Sequence, residues 1–352
     1  MHPLTLEHPA LTLLTDLLDV PSISGYEAAM AARVERILDE MGMAHETDPI
    51  GNVLVRLPSQ RPDAPLVCLA AHMDEIGMAV AGVDGNGALQ LIRSGGLYPW
   101  KLGEGPVTVA GDAETITGVL SMGSTHTPDA AQRTIRWGDV RVITGLSPDQ
   151  LAAAGVRAGS PVTPVRAHRG PVLFGDPADP LVAAWTFDDR MGVVTLLRLL
   201  GAVREQEIQP QQPTLIAFTV GEEVGGLGAK GLCQREDPEV FVAVDGAPIP
   251  PGSDLTLDGR PGMWTKDSRG PYDPGLLRDF GTLAQAAGTG IQYAAYDANA
   301  SDASMAHFVG YAPRIACFGH VRENSHGYEV ARLRGFDHVL DTLLAFVREW
   351  SA

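Results

Sequence analysis

Two histidines and several carboxylates follow short apolar runs, an inventory suited to chemistry on divalent metal ions. His72 and Asp74 stand behind residues 66–70 in the segment AHMDE, and a spacing of two puts both on one side of an extended chain. A ligating histidine commonly hands its other ring nitrogen to a carboxylate, which fixes its tautomer. Asp188 follows residues 181–185 in TFDDR, Glu222 and Glu223 follow residues 214–218 in TVGEE, Asp245 follows residues 240–244, and His326 lies beyond residues 314–318 in GHVRENSH. Adjacent carboxylates at 222 and 223 would repel each other unless a cation lies beside them. A metal resolves this, because one carboxylate ligates while its neighbour stays free to take a proton from water.

Singly, each cluster also has a plainer explanation. A His-Asp pair suits a surface, acids at 188 and 189 suit the start of a helix at Arg190, and a lone Asp245 suits a turn. The run VGEEVGGLGAKG suggests a phosphate loop but lacks the G-K-[ST] ending. The segment DANASDASMAH from Asp297 suggests a calcium loop, yet Asp302 stands where glycine is needed and Phe308 where glutamate is needed. It reads as a loop at the rim of the site, with His307 structural. Neither a G-x-S-x-G elbow nor a dinucleotide-binding G-x-G-x-x-G is present. As a set, two histidines and three carboxylates at separate run ends, with a spare Glu222, suit two divalent ions sharing a bridging carboxylate. Mixed nitrogen and oxygen donors favour Zn²⁺, Co²⁺ or Mn²⁺.

The elements that must position these residues are expected to be α/β. Unbroken apolar runs of this length predict central strands covered on both faces. Helical periodicity is found from Leu11 to about Met43, with a break at Ser24-Gly25, and again over residues 190–203 and 275–287. Strands alternating with helices imply an open mixed sheet flanked by helices, with ligands gathered beyond the carboxyl ends of its strands. From about Gly77 to Asp176 the character changes to Gly, Thr and Val with turn signals such as Asp84-Gly85-Asn86-Gly87. Only SPDQLAAAG, capped by Ser147, looks helical there. The expectation is an α/β domain over residues 1–76 and 178–352, with a β-rich domain inserted over 77–177.

Composition sets bounds on function. At 352 residues two domains are expected, and 45% hydrophobic with 20% charged residues excludes a disordered chain. The 26 basic and 43 acidic residues give a net charge of −17, which disfavours nucleic acid or an anionic membrane as partner. Cys68, Cys233 and Cys317 are scattered and read as buried free thiols in a reducing compartment. The stretch MHPLTLEHPALTLLTDLLDV has no basic leader region, and no apolar run is long enough to span a bilayer, so a cytoplasmic protein is expected.

The ordered segments AHMDEIGMAV, AWTFDDRMGVV, FTVGEEVGGLGAKG and VAVDGAP resemble the metal-site motifs of the M42 metallo-aminopeptidases. SGYE, IGNVLVRL and RVITGLSPDQLAAAGVRAGSPVTPV add to the resemblance. The separation of 116 residues between His72 and Asp188 puts the insertion where that family has it; M20-type relatives place these ligands closer. The resemblance implies a zinc-peptidase-like catalytic domain with His72 and Asp245 on one metal, Glu223 and His326 on the other, and Asp188 bridging. Asp74 would orient His72, and Glu222 would be the general base for attack by metal-held hydroxide. It implies release of N-terminal residues from short peptides, and a homo-oligomer, dimer or tetrahedral dodecamer, joined through the inserted domain. One departure concerns the last ligand. The family pattern R-Y-x-H-[ST]-x-x-E meets Arg322-Glu323-Asn324-Ser325-His326-Gly327-Tyr328-Glu329, so Ser325 falls where histidine belongs. A one-residue loop adjustment favours His326 over His320 as the ligand. Two other readings stay open: a two-metal deacylase acting on N-acylated or C-terminal substrates, and a non-catalytic homologue with a degraded site.

Overall fold

Four apolar strands pair in parallel at the centre of the molecule, and their carboxyl ends share one edge. In the computed structural model, which describes residues 7–128 and 130–351, their order is Thr214–Thr219, Val67–His72, Val240–Val244 and Arg314–Gly319. Residues 1–6, part of the N-terminal stretch read above as lacking a leader, lie outside the described residues. The register sets Thr219 beside His72 and Ala243 beside Ala70. The segments carrying His72, Glu222 and Asp245 therefore leave the sheet at nearly one level. Antiparallel strands extend both sides, Val53–Leu57 against Thr214–Thr219 and Gly262–Asp267 against Arg314–Gly319, to make a nine-stranded mixed sheet.

Alternation along the strands feeds two cores. Val67, Leu69 and Ala71 enter one, and Cys68 and Ala70 enter the other, as the two-residue period of a strand dictates. The first core is closed by Pro9–Leu18, Ala28–Glu40, Phe187–Glu205, Pro274–Ala286 and Gly335–Glu349, the second by Leu227–Glu236 and Asp302–Phe308. Each fully buried Leu or Phe in them contributes about 1.5–3 kcal/mol of transfer free energy. The helices begin where local chemistry permits. Asp273 accepts the Leu276 N–H with Pro274 at the first position, and Ser147 and Gln150 form a capping box for Pro148–Ala153. All three cysteines are free and buried. Among the described residues, no helix is long and apolar enough to cross a membrane.

Two expectations are corrected. The run Leu181–Trp185 is not a central strand of the main sheet. It lies in a second, five-stranded sheet with Val172–Phe174, Tyr328–Arg332, Val321–Glu323 and Ala247–Pro248. Its apolar character arises because Val182 and Ala184 face the large core while Trp185 joins the core of the inserted barrel. The segment from Asp297 is a loop only up to Ser301, which caps the helix Asp302–Phe308 by accepting the Ser304 N–H. Ala303 and Ala306 of that helix are buried in the second core, which is why the segment does not stay open.

Between Val67–His72 and Leu181–Trp185 the chain builds a closed barrel in the order Gly77–Val83, Leu89–Ser94, Arg141–Ile143, Thr115–Ser121, Gly105–Ala110 and Pro161–Pro164. Its inward positions, among them Met78, Val80, Leu91, Val107, Val109 and Val162, form a third core. The strand Val172–Phe174, later in the same stretch, pairs with Leu181–Trp185 and not with the barrel.

Candidate metal centre

His72 ends its strand nearly fully buried, and its ring is held from both sides. Nδ1 lies 3.0 Å from the Asp74 carbonyl oxygen and 3.4 Å from the Asp74 carboxylate, while Nε2 lies 3.1 Å from Asp188 Oδ1. With Nδ1–H donating to Asp74, Nε2 is the atom presented to a ligand. Asp74 is itself fully buried and serves the neighbouring turn. Its carboxylate accepts the Ser24 hydroxyl at 2.7 Å and the backbone N–H groups of Glu222 and Glu223 at 3.0 and 3.1 Å.

One ligand atom each from His72, Asp188 and Asp245 lie within 4.8 Å of one another, and so do atoms from Asp188, Glu223 and His326. The two groups share Asp188. It reaches them from the second sheet, at the start of the helix Phe187–Glu205, where Thr186 takes a left-handed turn with φ 59°. Asp245 reaches them from the end of Val240–Val244 at close quarters with the next strand. A side chain on Gly319 would meet the Asp245 carbonyl oxygen at 1.8 Å, so only glycine fits there.

His326 reaches the shared aspartate despite its displaced motif. Its Nε2 lies 3.4 Å from Asp188 Oδ2 and 3.6 Å from Glu223 Oε1. Asn324 and His326 both adopt a φ of 59°, left-handed turns on either side of Ser325, where the motif would have its histidine. His320, the other histidine weighed, is buried elsewhere, with Nε2 3.3 Å from Thr195 Oγ1 and its ring against Phe336. Burial and the nearby Arg322 charge lower His320 to about 3. Ser325 lines the cavity.

The electrostatics are those of a site short of positive charge. Burial, reinforced by Asp188, lifts Asp245 to about 6. Burial also lifts Glu223 to about 7, against the opposing pull of His326. Burial drives Glu222 well above the usual carboxylate range, with Asp302, Glu223 and Asp245 adding to it against the charge of His72. Burial disfavours the His326 cation, yet Glu223 and Asp188 raise it to about 10. Glu223 Oε1 is buried with no hydrogen-bond partner. An acceptor in that state costs free energy unless a cation or donor meets it, so the donor set fits a metal on this side of Asp188.

Three supporting residues were given no role in the sequence reading. Arg322 donates to Asp188 and lies 3.3 Å from Glu329. Glu329, fully buried, accepts the Asp188 N–H at 2.9 Å and the His326 N–H at 3.1 Å. Asp302 accepts the Thr219 hydroxyl at 2.6 Å behind Glu222. Arg322 and Glu329 were visible as flanks of the last motif. Asp302 had no signal beyond its place in a loop-like segment. Above these groups a cavity of about 470 Å³ is walled by Tyr98, Trp100, Lys101, Trp264, Arg269 and Met305.

Comparison with known proteins bears on this arrangement. The family profile described as M42 glutamyl aminopeptidase matches residues 51–341. The Escherichia coli (strain K12) protein SgcX is 29% identical over 241 residues, covering 67% of this chain and 62% of its own. The lysyl aminopeptidase of Pyrococcus furiosus is 28% identical over 244 residues, 66% of this chain and 65% of its own. The chain thus spans less than two thirds of the length of either relative. In three dimensions, the TET1 peptidase of Pyrococcus horikoshii, which can assemble into a tetrahedron or a large octahedral shell, superposes with a TM-score of 0.84 at 24% identity. That match covers 97% of this chain and all of the other.

Proposed function

The chain belongs to the M42 peptidase family, and on that premise we propose that it is a two-metal aminopeptidase releasing N-terminal residues from short peptides. The observation that carries this reading is the pair of potential metal-holding triads that share Asp188. His72, Asp188 and Asp245 would hold one ion, and Asp188, Glu223 and His326 the other. Their nitrogen and oxygen donors suit zinc, with cobalt or manganese as alternatives. When bound, such ions supply Lewis acidity, polarising the scissile carbonyl and activating water.

The chain's own residues would do the rest. Glu222 is the cavity-lining carboxylate that neither triad uses, and its raised proton affinity suits it to take a proton from water and pass it to the leaving amine. Asp74 would hold both the His72 ring and the turn that presents Glu222 and Glu223. The surplus of buried carboxylates favours the ammonium group of a free N-terminus over a blocked one. The barrel's outer face, with Val119 and Ile143 exposed and paired across neighbouring strands, would join subunits into a homo-oligomer. In this reading residues 1–76 and 178–352 form the catalytic unit and 77–177 the oligomerisation domain.

The direct test compares hydrolysis of a free short peptide with its N-acetylated form by the zinc-loaded protein, with bound metal counted. An aminopeptidase cleaves only the free form and carries two ions per chain. Preference for the acetylated peptide would establish a deacylase instead. No hydrolysis of either, with fewer than two ions bound at saturation, would leave a non-catalytic homologue.

A further inference from the structure

The barrel does more than cover the site, because the loop after its strand Leu89–Ser94 touches the loop that carries His326. The Gly96 carbonyl oxygen lies 3.1 Å from His326 Nδ1, and Lys101 Nζ donates to the Asn324 carbonyl at 3.1 Å. His326 needs such ties. Its side chain is 33% exposed toward the cavity, so packing alone does not fix the ring. It also stands one residue out of its motif, in a loop with left-handed turns at Asn324 and His326.

We propose that Gly96 is a positioning residue for the second metal triad: its carbonyl holds His326 Nδ1–H, sets the tautomer and turns Nε2 toward Asp188 and Glu223. The inserted barrel thereby completes a site whose ligands all come from outside it. This rests on the two-metal reading above. A ligating histidine is commonly oriented by an acceptor on its other nitrogen, and a backbone carbonyl serves as well as a carboxylate.

The residue type is explained by space. A Cβ on Gly96 would lie 2.6 Å from both Cε1 and Nδ1 of the His326 ring, closer than side chains approach. The neighbouring Gly95 stands over the other ligand, with its Cβ position 3.0 Å from Glu223 Oε2. The two differ in a useful way. Gly95 has φ 74°, a conformation that suits glycine, whereas Gly96 lies outside the left-handed region. Alanine at 96 is therefore tolerated by the backbone, and its effect falls on the ring.

The test titrates metal-free wild type, Gly96→Ala, His326→Ala and the double variant with Co²⁺, following heat and visible absorption, and records the melting temperature of each metal-free protein. Wild type should bind two equivalents. Gly96→Ala should keep the first at wild-type affinity and bind the second at least about tenfold more weakly, with an altered cobalt spectrum. The double variant should be no worse than His326→Ala, since Gly96 acts through the ring. Any fall in melting temperature caused by Gly96→Ala should disappear once the ring is removed. Wild-type binding of both ions by Gly96→Ala, equal weakening of both, or additive losses in the double variant would overturn the proposal. So would a melting defect that persists without the ring. If wild type binds only one equivalent, the two-metal reading falls and the proposal with it; if His326→Ala keeps two tight equivalents, His326 is no ligand and the proposal falls alone; if only Gly96→Ala is silent, the reading stands and the role of Gly96 falls.

Discussion

Glu329 accepts the backbone N–H of His326 through Oε1, and its other oxygen accepts the N–H of Asp188. One buried carboxylate therefore ties the displaced loop to the shared aspartate. Glu329→Gln keeps the shape but exchanges one acceptor oxygen for a donor. Metal affinity is expected to fall about 10–100-fold, the usual consequence of disturbing an outer partner. Isothermal titration with Zn²⁺ measures it, and unchanged affinity would remove Glu329 from the centre.

Glu222→Gln removes the proposed proton carrier without touching either triad. Turnover of an aminoacyl anilide should drop by about 10²–10⁴-fold, while two ions per chain and the melting temperature are retained. Near-normal turnover would assign the proton transfer to another group.

Metal loading should release protons. Without ions, His326 is raised to about 10, Glu223 to about 7 and Asp245 to about 6, so at pH 7 part of the donor set holds protons that bound metal must displace. Affinity should accordingly weaken as pH falls from 7 to 6. Titrations in buffers of different ionisation enthalpy report the released protons directly. A loading step that releases none would argue against these ligands.

Away from the centre, Glu75 is fully buried between Arg169, at 2.7 Å, and Arg190, at 3.7 Å. Burial alone would raise its carboxyl, but the two guanidinium groups outweigh this and hold it below the ordinary value. A depressed folded value means the stabilisation is complete above the unfolded carboxyl range, about 4.3, and is lost as pH falls through the lower folded value. Glu75→Gln strands two buried cations and should cost about 3–5 kcal/mol. Chemical denaturation at pH 7 tests this, and the variant should also lose much of the wild type's sensitivity to acid. A cost below about 1 kcal/mol would mean that water or other groups satisfy the arginines.

The central sheet was legible because its strands are unbroken apolar runs; residues 214–218 were read as a strand, and Thr214–Thr219 is one. That the segments carrying His72, Glu223 and Asp245 would leave the sheet along one edge followed from their positions at or just past the ends of such runs. The second sheet was not legible. Leu181–Trp185 is as apolar as its neighbours, and composition cannot tell a strand between two cores from one inside a sheet. Gly96 gave no sign either, since a carbonyl acts whatever its side chain, and its partner lies 230 residues further along the chain. The shift at His326 was visible as a misfit of motif, but its remedy lies in backbone angles that no residue type there announces.

The division of the site between two sheets and a barrel has a consequence for biosynthesis. His72 and Asp188 are separated by 116 residues, and His326 follows both from near the far end of the chain. In the two-metal reading, the residues of the first triad, His72, Asp188 and Asp245, have all been made by residue 245, whereas the second waits for His326, beside the strand Tyr328–Arg332 that pairs with Leu181–Trp185. On that reading the two sites would become available in sequence, and the second ion would act as a seal set only after synthesis has passed His326.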